Sequence, residues 1–306
     1  MIKNHISKIF NLPIKGHSDI DFVDIDVNTD TQLFIDPCLI EAKDDAFSLR
    51  CQQIIQDYFE CLYNVYRQKR YNPDFLNHLG ERNEARLGYG SGTNGKAKTP
   101  QGMDDTLSGL HDLIIRGIPV EGVIDIPLMM PRFAEDCMSD MLVNVLYKQL
   151  SEFTLEQCQK HNIPTETINT PRYYWDENLR SWNIYQGKGL VIDGKVILLI
   201  PKAFVSIRFG YSTSQFFMSQ IATILQKERT SVFDGKEVTP RKADIKKDEC
   251  RIHGSVIEAT RIYAREMPHL LSEYHRNIKS KYQNRSLSDD ELDKLVYYPT
   301  VNDTVA

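Results

Sequence analysis

Residues 135–144 read Glu135-Asp136-Cys137-Met138-Ser139-Asp140-Met141-Leu142-Val143-Asn144, and this stretch decides the fold class. Asp136, Asp140 and Asn144 recur at i, i+4 and i+8, so a helix would set all three on one face. Met138, Met141, Leu142, Val145 and Leu146 would cover the opposite face, the pattern of an amphipathic helix. Just upstream, residues 119–130 form an apolar run that reads as a buried strand. Strand followed by helix points to an α/β or α+β protein.

Working outward, residues 20–27 alternate apolar and acidic residues, the period of a half-exposed strand. Residues 31–36 read as a buried strand ending at Pro37. Phe47, Cys51, Ile54, Ile55, Tyr58, Leu62 and Tyr66 repeat at helical spacing over 44–70. A short helix begun by Asp104 or Asp105 is expected to end at Gly117. The helix begun near Asp136 is expected to restart at a capping box, Thr154-Leu-Glu-Gln157. Two hairpins follow, one turning around Asp176-Glu-Asn178 and one at Asp193-Gly194, a strong hairpin dipeptide. Helices are expected over 213–228 and 255–283, the latter kinked at Pro268, and after the Ser288-Asp-Asp-Glu291 box. The architecture is therefore a mixed sheet with hairpins flanked by helices and a helical C-terminal region. A core domain over 1–228 would carry a glycine-rich loop, and 229–306 would hold a basic linker (229–254) and C-terminal helices.

The chain has 306 residues, with 41% hydrophobic and 26% charged, enough to bury a core. No apolar run reaches the ~18–20 residues of a membrane span, and residues 1–10 lack the apolar segment of a signal peptide. A cytoplasmic protein without membrane contact is expected. None of the six cysteines forms a CxxC pair, so free thiols are expected and a zinc site is not. The net charge of −5 is uneven. The first 60 residues are acidic, whereas residues 227–285 are basic enough to meet phosphates.

Chemistry is expected where carboxylates, amides and glycines gather. Asp136, Asp140 and Asn144 are the candidate ligands of a divalent metal, Mg²⁺ or Mn²⁺. Gly90, Gly92, Gly95 and Lys96 lie in Gly90-Ser-Gly-Thr-Asn-Gly-Lys96. That run matches the first seven positions of a phosphate-cradling P-loop, but Ala97 replaces the metal-holding hydroxyl. Glu84 is the candidate base or third ligand, and Lys202 the candidate stabiliser of phosphate charge. Lys202 follows Val196-Ile-Leu-Leu-Ile-Pro201 and resembles the lysine of the restriction-nuclease-like fold. That fold's acidic residue two places earlier is here Ile200. Tyr173, Tyr174, Trp175 and Trp182 could stack bases or pack across a hairpin. His111 reads as structural.

Several phrases together resemble a family of bacterial proteins associated with phage-defence and mobile-element loci. They are Leu33-Phe-Ile-Asp36-Pro37, Glu84 with Leu87-Gly88-Tyr89 and the glycine loop, and Asp136-Cys-Met-Ser139-Asp140 with Asn144. Cys158 with His161-Asn-Ile-Pro164 and Leu198-Leu-Ile-Pro201-Lys202 continue the series in the same order. Cys137 stands where the family pattern would have arginine. The resemblance implies antiviral defence and names no reaction. Joined to the acidic stripe and the basic region, it leads to a component acting on nucleic acid as a metal-dependent nuclease or hydrolase. The alternatives are a non-catalytic sensor or adaptor for a partner protein, encoded nearby or by a phage, and a nucleotide switch through the glycine loop. A real site requires that the 136 helix, Gly88–Gly95 and Lys202 meet, with Asp36 at the edge.

Overall fold

The computed structural model describes residues 4–68, 73–80, 82–89, 100–120, 122–130, 133, 135–283 and 285–298. It is a mixed architecture of helices around small antiparallel sheets, with a helical C-terminal region. Its centre is the helix Ala46–Arg67, whose N-cap Asp45 accepts from Ser48 N. That helix buries Cys51, Ile54, Ile55, Tyr58 and Leu62 on the face the spacing predicts. Tyr58 lies 5.1 Å from Phe75 and 5.2 Å from Trp175, ring to ring.

The strand expected over 31–36 is short. Phe34–Ile35 pairs antiparallel with Val205–Ser206, and Asp36 then caps the helix Pro37–Glu41 with Pro37 in its first turn. Residues 20–27 do not form the expected strand. They run extended with bridges at Phe22 and Asp26 only, and Val23, Asp24 and Ile25 are all buried. Asp24 is not solvated, because Ser7 N, Ser7 Oγ and Tyr297 Oη donate to its carboxylate. The apolar run 119–130 holds a helix, Asp125–Met129, rather than a strand. A continuous apolar run has no period to separate the two.

Helix Glu135–Val145 gives way at Leu146 to helix Tyr147–Lys160. Thr154 lies inside the second helix, where its hydroxyl donates to Leu150 O. It caps nothing, so the expected restart at 154 falls at 146 instead. Both hairpins form: Arg172–Asp176 with Ser181–Tyr185, and Lys188–Ile192 with Lys195–Ile197. Asp193 and Gly194 turn with φ of 51° and 74°, the double positive φ of a type I′ turn.

Residues 229–254, expected as a linker, contain the ribbon Ser231–Phe233/Lys236–Val238 and the helix Lys242–His253. Helices Val256–Glu266 and His269–Tyr282 part at Pro268. Ser288 and Glu291 form the expected capping box of helix Asp289–Tyr297. These C-terminal helices close on the N-terminal half. Tyr282 Oη donates to Asp36 Oδ2 at 3.0 Å, and His17 Nδ1 stands 2.7 Å from Asp293. No helix among the described residues is long and apolar enough to cross a membrane. All six cysteines are free.

Candidate functional site

Segment 86–89 runs beside residues 31–34. Thr31 N donates to Arg86 O, and Gly88 N donates to Thr31 O. The Tyr89 ring lies 4.7 Å from Phe34. On the other side, Ile35 N donates to Ser139 Oγ at 3.0 Å, which fixes helix Glu135–Val145 against the strand. These contacts bring Gly88 to the first turn of that helix. A Cβ on Gly88 would stand 2.8 Å from Asp136 Oδ1. Gly88 has φ 129°, so only glycine permits both the backbone and the approach.

Two residues that the motifs did not single out complete this junction. Arg86 is 2% exposed and adopts φ 52°, a conformation of order 1–3 kcal/mol uphill for a side-chain-bearing residue. Its Nη1 stands 3.7 Å from Asp30 Oδ1, beyond hydrogen-bond length, and its Nε and Nη1 have no hydrogen-bond acceptor among the described residues. The Asp30 side chain is 5% exposed. Burial raises the Asp30 pKa, Arg86 opposes the rise, and the Asp136 charge adds to it. Burial also raises the Tyr89 pKa, helped by Glu135 and Asp136 and opposed by Arg208. The junction is therefore a carboxylate pair, Asp30 and Asp136, with an incompletely paired guanidinium beside it.

The other expected site residues divide. Asn144 is fully buried; its Nδ2 donates to Gly80 O at 2.7 Å and Asp140 O at 2.8 Å, while Oδ1 accepts from Arg82 Nε at 2.5 Å. It is a clamp on the 80–82 segment rather than an available metal ligand. Asp140 is half-buried between the two ends of the helix. Glu84 pairs with Arg172 at 2.8 Å. Lys202 Nζ donates to His17 O at 2.5 Å and Asp289 Oδ1 at 2.6 Å, which ties it to the C-terminal helix. Thus Gly88 and Asp136 meet as expected, while Glu84 and Lys202 have other partners. Gly90, Gly92, Gly95 and Lys96 lie outside the described residues. Among the described residues, no group of three or more His, Cys, Asp or Glu is arranged to hold a metal ion.

The aromatic residues of the first hairpin are packed. Trp175 is fully buried with Nε1 donating to Asp57, and Trp182 Nε1 donates to Phe75 O. Tyr173 stacks on His78 at 3.7 Å. His111 bonds Tyr66 O through Nδ1 at 2.7 Å, as the structural reading expects.

A second polar centre was not legible in the sequence. His275 Nε2 lies 2.7 Å from Asp125 Oδ1, and Asp125 is fully buried. Gly122 N donates to Asp125 Oδ2 at 2.8 Å. Gly122, Glu41 and Lys279 line a neighbouring cavity of about 300 Å³. Burial raises the Glu41 pKa, and the charges of His275 and Lys279 hold it down.

The model of a family described as a domain of unknown function, DUF8370, matches residues 11–212. The chain belongs to this family. The matched span encloses Asp30, Arg86, Gly88 and Asp136, so the junction is built within the family segment. No curated protein and no solved structure matches the chain.

Proposed function

We propose that this DUF8370 member is a cytoplasmic component of a bacterial antiviral system and acts on nucleic acid as a metal-dependent hydrolase. The observation that carries the reading is the Asp30–Asp136 carboxylate pair beside the incompletely paired Arg86 guanidinium. Mg²⁺ is commonly held by one or two carboxylates, with water and substrate phosphate oxygens completing the shell. Asp30 and Asp136 would be the protein ligands, a revision of the Asp136/Asp140/Asn144 set. The bound ion would neutralise phosphate charge and activate water. Arg86 and Arg208 supply positive charge near the same place, and the close approach at Gly88 keeps side-chain bulk away from Asp136. The sequence resemblance supports the defence context, and the basic 227–285 region supports contact with phosphates.

The test is hydrolysis of single- and double-stranded DNA and RNA by the purified full chain, with Mg²⁺ or Mn²⁺ and with EDTA. Metal-dependent cleavage that disappears in Asp30→Asn and Asp136→Asn is the expected result. Intact substrates of every form, alone and with the products of neighbouring genes, would defeat the reading.

One feature favours the adaptor alternative. Val232, Phe233 and Val238 on the 231–238 ribbon are 75%, 77% and 50% exposed, an apolar surface of the kind that marks protein contacts. An adaptor would lose antiviral protection in Phe233→Ser and keep it in Asp136→Asn; the hydrolase shows the reverse ranking.

A further inference from the structure

Beside the carboxylate junction is a cavity of about 350 Å³ whose lining includes Phe133, Glu135, Phe209, Tyr211, Ser212 and Ser214. Glu135 is the first residue of the helix whose second residue is Asp136. Cavity and junction are thus joined by one turn of backbone. One wall is aromatic. Phe209 and Tyr211 stack at 5.1 Å with an interplanar angle of 15°, and Phe133 is fully buried. Ser212 caps the following helix through its hydroxyl, and Ser214 Oγ accepts from Lys246 Nζ at 2.7 Å.

Resting on the hydrolase reading, we infer that this cavity is a nucleobase pocket. The substrate is then single-stranded or locally unpaired nucleic acid, with one base lodged against the stacked Phe209–Tyr211 wall. The volume suits a ligand of about nucleoside size, at the small end of ligand cavities. A flat aromatic wall matches the face of a base, and enzymes working beside a base commonly draw it from the stack into such a pocket. Among the described residues that line the cavity, Glu135 is the only charged one. Among the common bases, guanine alone offers a carboxylate two adjacent N–H donors on its Watson–Crick edge, so guanine is the preferred occupant.

The experiment has three arms on the full-length chain. GMP, AMP, CMP, UMP and ribose 5-phosphate are titrated calorimetrically in EDTA, single-stranded oligonucleotides with one guanine or one abasic site are compared, and Mn²⁺ is titrated separately. GMP should bind at least tenfold more tightly than UMP or ribose 5-phosphate. The abasic oligonucleotide should bind about tenfold more weakly than its guanine counterpart. Phe209→Leu should remove the advantage of the base, and Glu135→Gln, at a half-buried position, should remove the preference for guanine. Should Phe209→Leu fail to fold, Glu135→Gln and the abasic comparison decide. If ribose 5-phosphate binds as well as GMP while Mn²⁺ binding depends on Asp136, the pocket is overturned and the hydrolase reading stands. If GMP binds as expected but the protein takes up no Mn²⁺, the pocket stands and the metal reading fails.

Discussion

The two ends of helix Glu135–Val145 carry residues of the same stripe, yet they do different physical work. At its start, Asp136 meets a glycine in a side-chain-hostile conformation and lies close enough to raise the pKa of the buried Asp30. Near its end, Asn144 is fully buried, donates to Gly80 O and Asp140 O and accepts from Arg82 Nε. One end gathers carboxylates beside a glycine, and the other binds its amide to the neighbouring backbone and to Arg82. Helical periodicity places residues on a face, but the neighbours supplied by distant chain decide whether that face is a site or a seam.

The largest expected effect follows at the seam. Asn144→Leu removes three hydrogen bonds and leaves Gly80 O and Arg82 Nε without their partner, so unfolding free energy should fall by about 3 kcal/mol. Asp136→Asn should change it by less than about 1 kcal/mol. Urea denaturation of both variants checks the contrast, and equal losses would break it. Next is Gly88→Ala, expected to cost about 2 kcal/mol through its positive φ and the contact with Asp136. Adding Asp136→Ala should recover only the contact part of that loss. Full recovery in the double variant would show that the backbone is unstrained.

A pH-dependent effect lies between the two ends, where the strand Phe34–Ile35 meets the helix. Asp36 is fully buried, and burial raises its pKa to about 7, against the hydrogen bonds from Tyr282, Cys38 N and Ser206. Between about pH 4 and 7 the folded state keeps a proton that the unfolded chain has released. The stability this group contributes in acid is therefore lost as pH rises through about 7, at no more than ~1.4 kcal/mol per pH unit. Relative to the wild type, Asp36→Asn should gain stability from pH 4 to 7 and stay level above. A constant difference across that range would remove Asp36 from the account. The smallest effect belongs to Lys202→Met. Its partly exposed ion pair with Asp289 should contribute less than about 1 kcal/mol, and its loss should leave Mn²⁺ affinity unchanged.

Local signals were legible where they act locally. The helical repeat over 44–70, Asp193-Gly194 in a hairpin, Pro268 between helices and the Ser288/Glu291 box all appear as the sequence implies. The 119–130 run defeated the same reasoning because burial on all sides erases periodicity. Alternation over 20–27 misled because Asp24 is satisfied by Ser7 and Tyr297 rather than by water. At the site, Gly88 and Asp136 could be named from the sequence. Arg86 could not, since nothing in a sequence marks an arginine for positive φ. Asp30 meets Asp136 only through the fold, and the Asp125–His275 pair spans 150 positions.

Mn²⁺ titration by calorimetry on the wild type and the Asp30→Asn, Asp136→Asn and Asp140→Asn variants is the most direct test that Asp30 and Asp136 form the cation site. The wild type should take up one ion, with affinity at least tenfold weaker in Asp30→Asn and Asp136→Asn and unchanged in Asp140→Asn. Uptake that survives Asp30→Asn and disappears in Asp140→Asn, or no uptake by the wild type, would contradict that site.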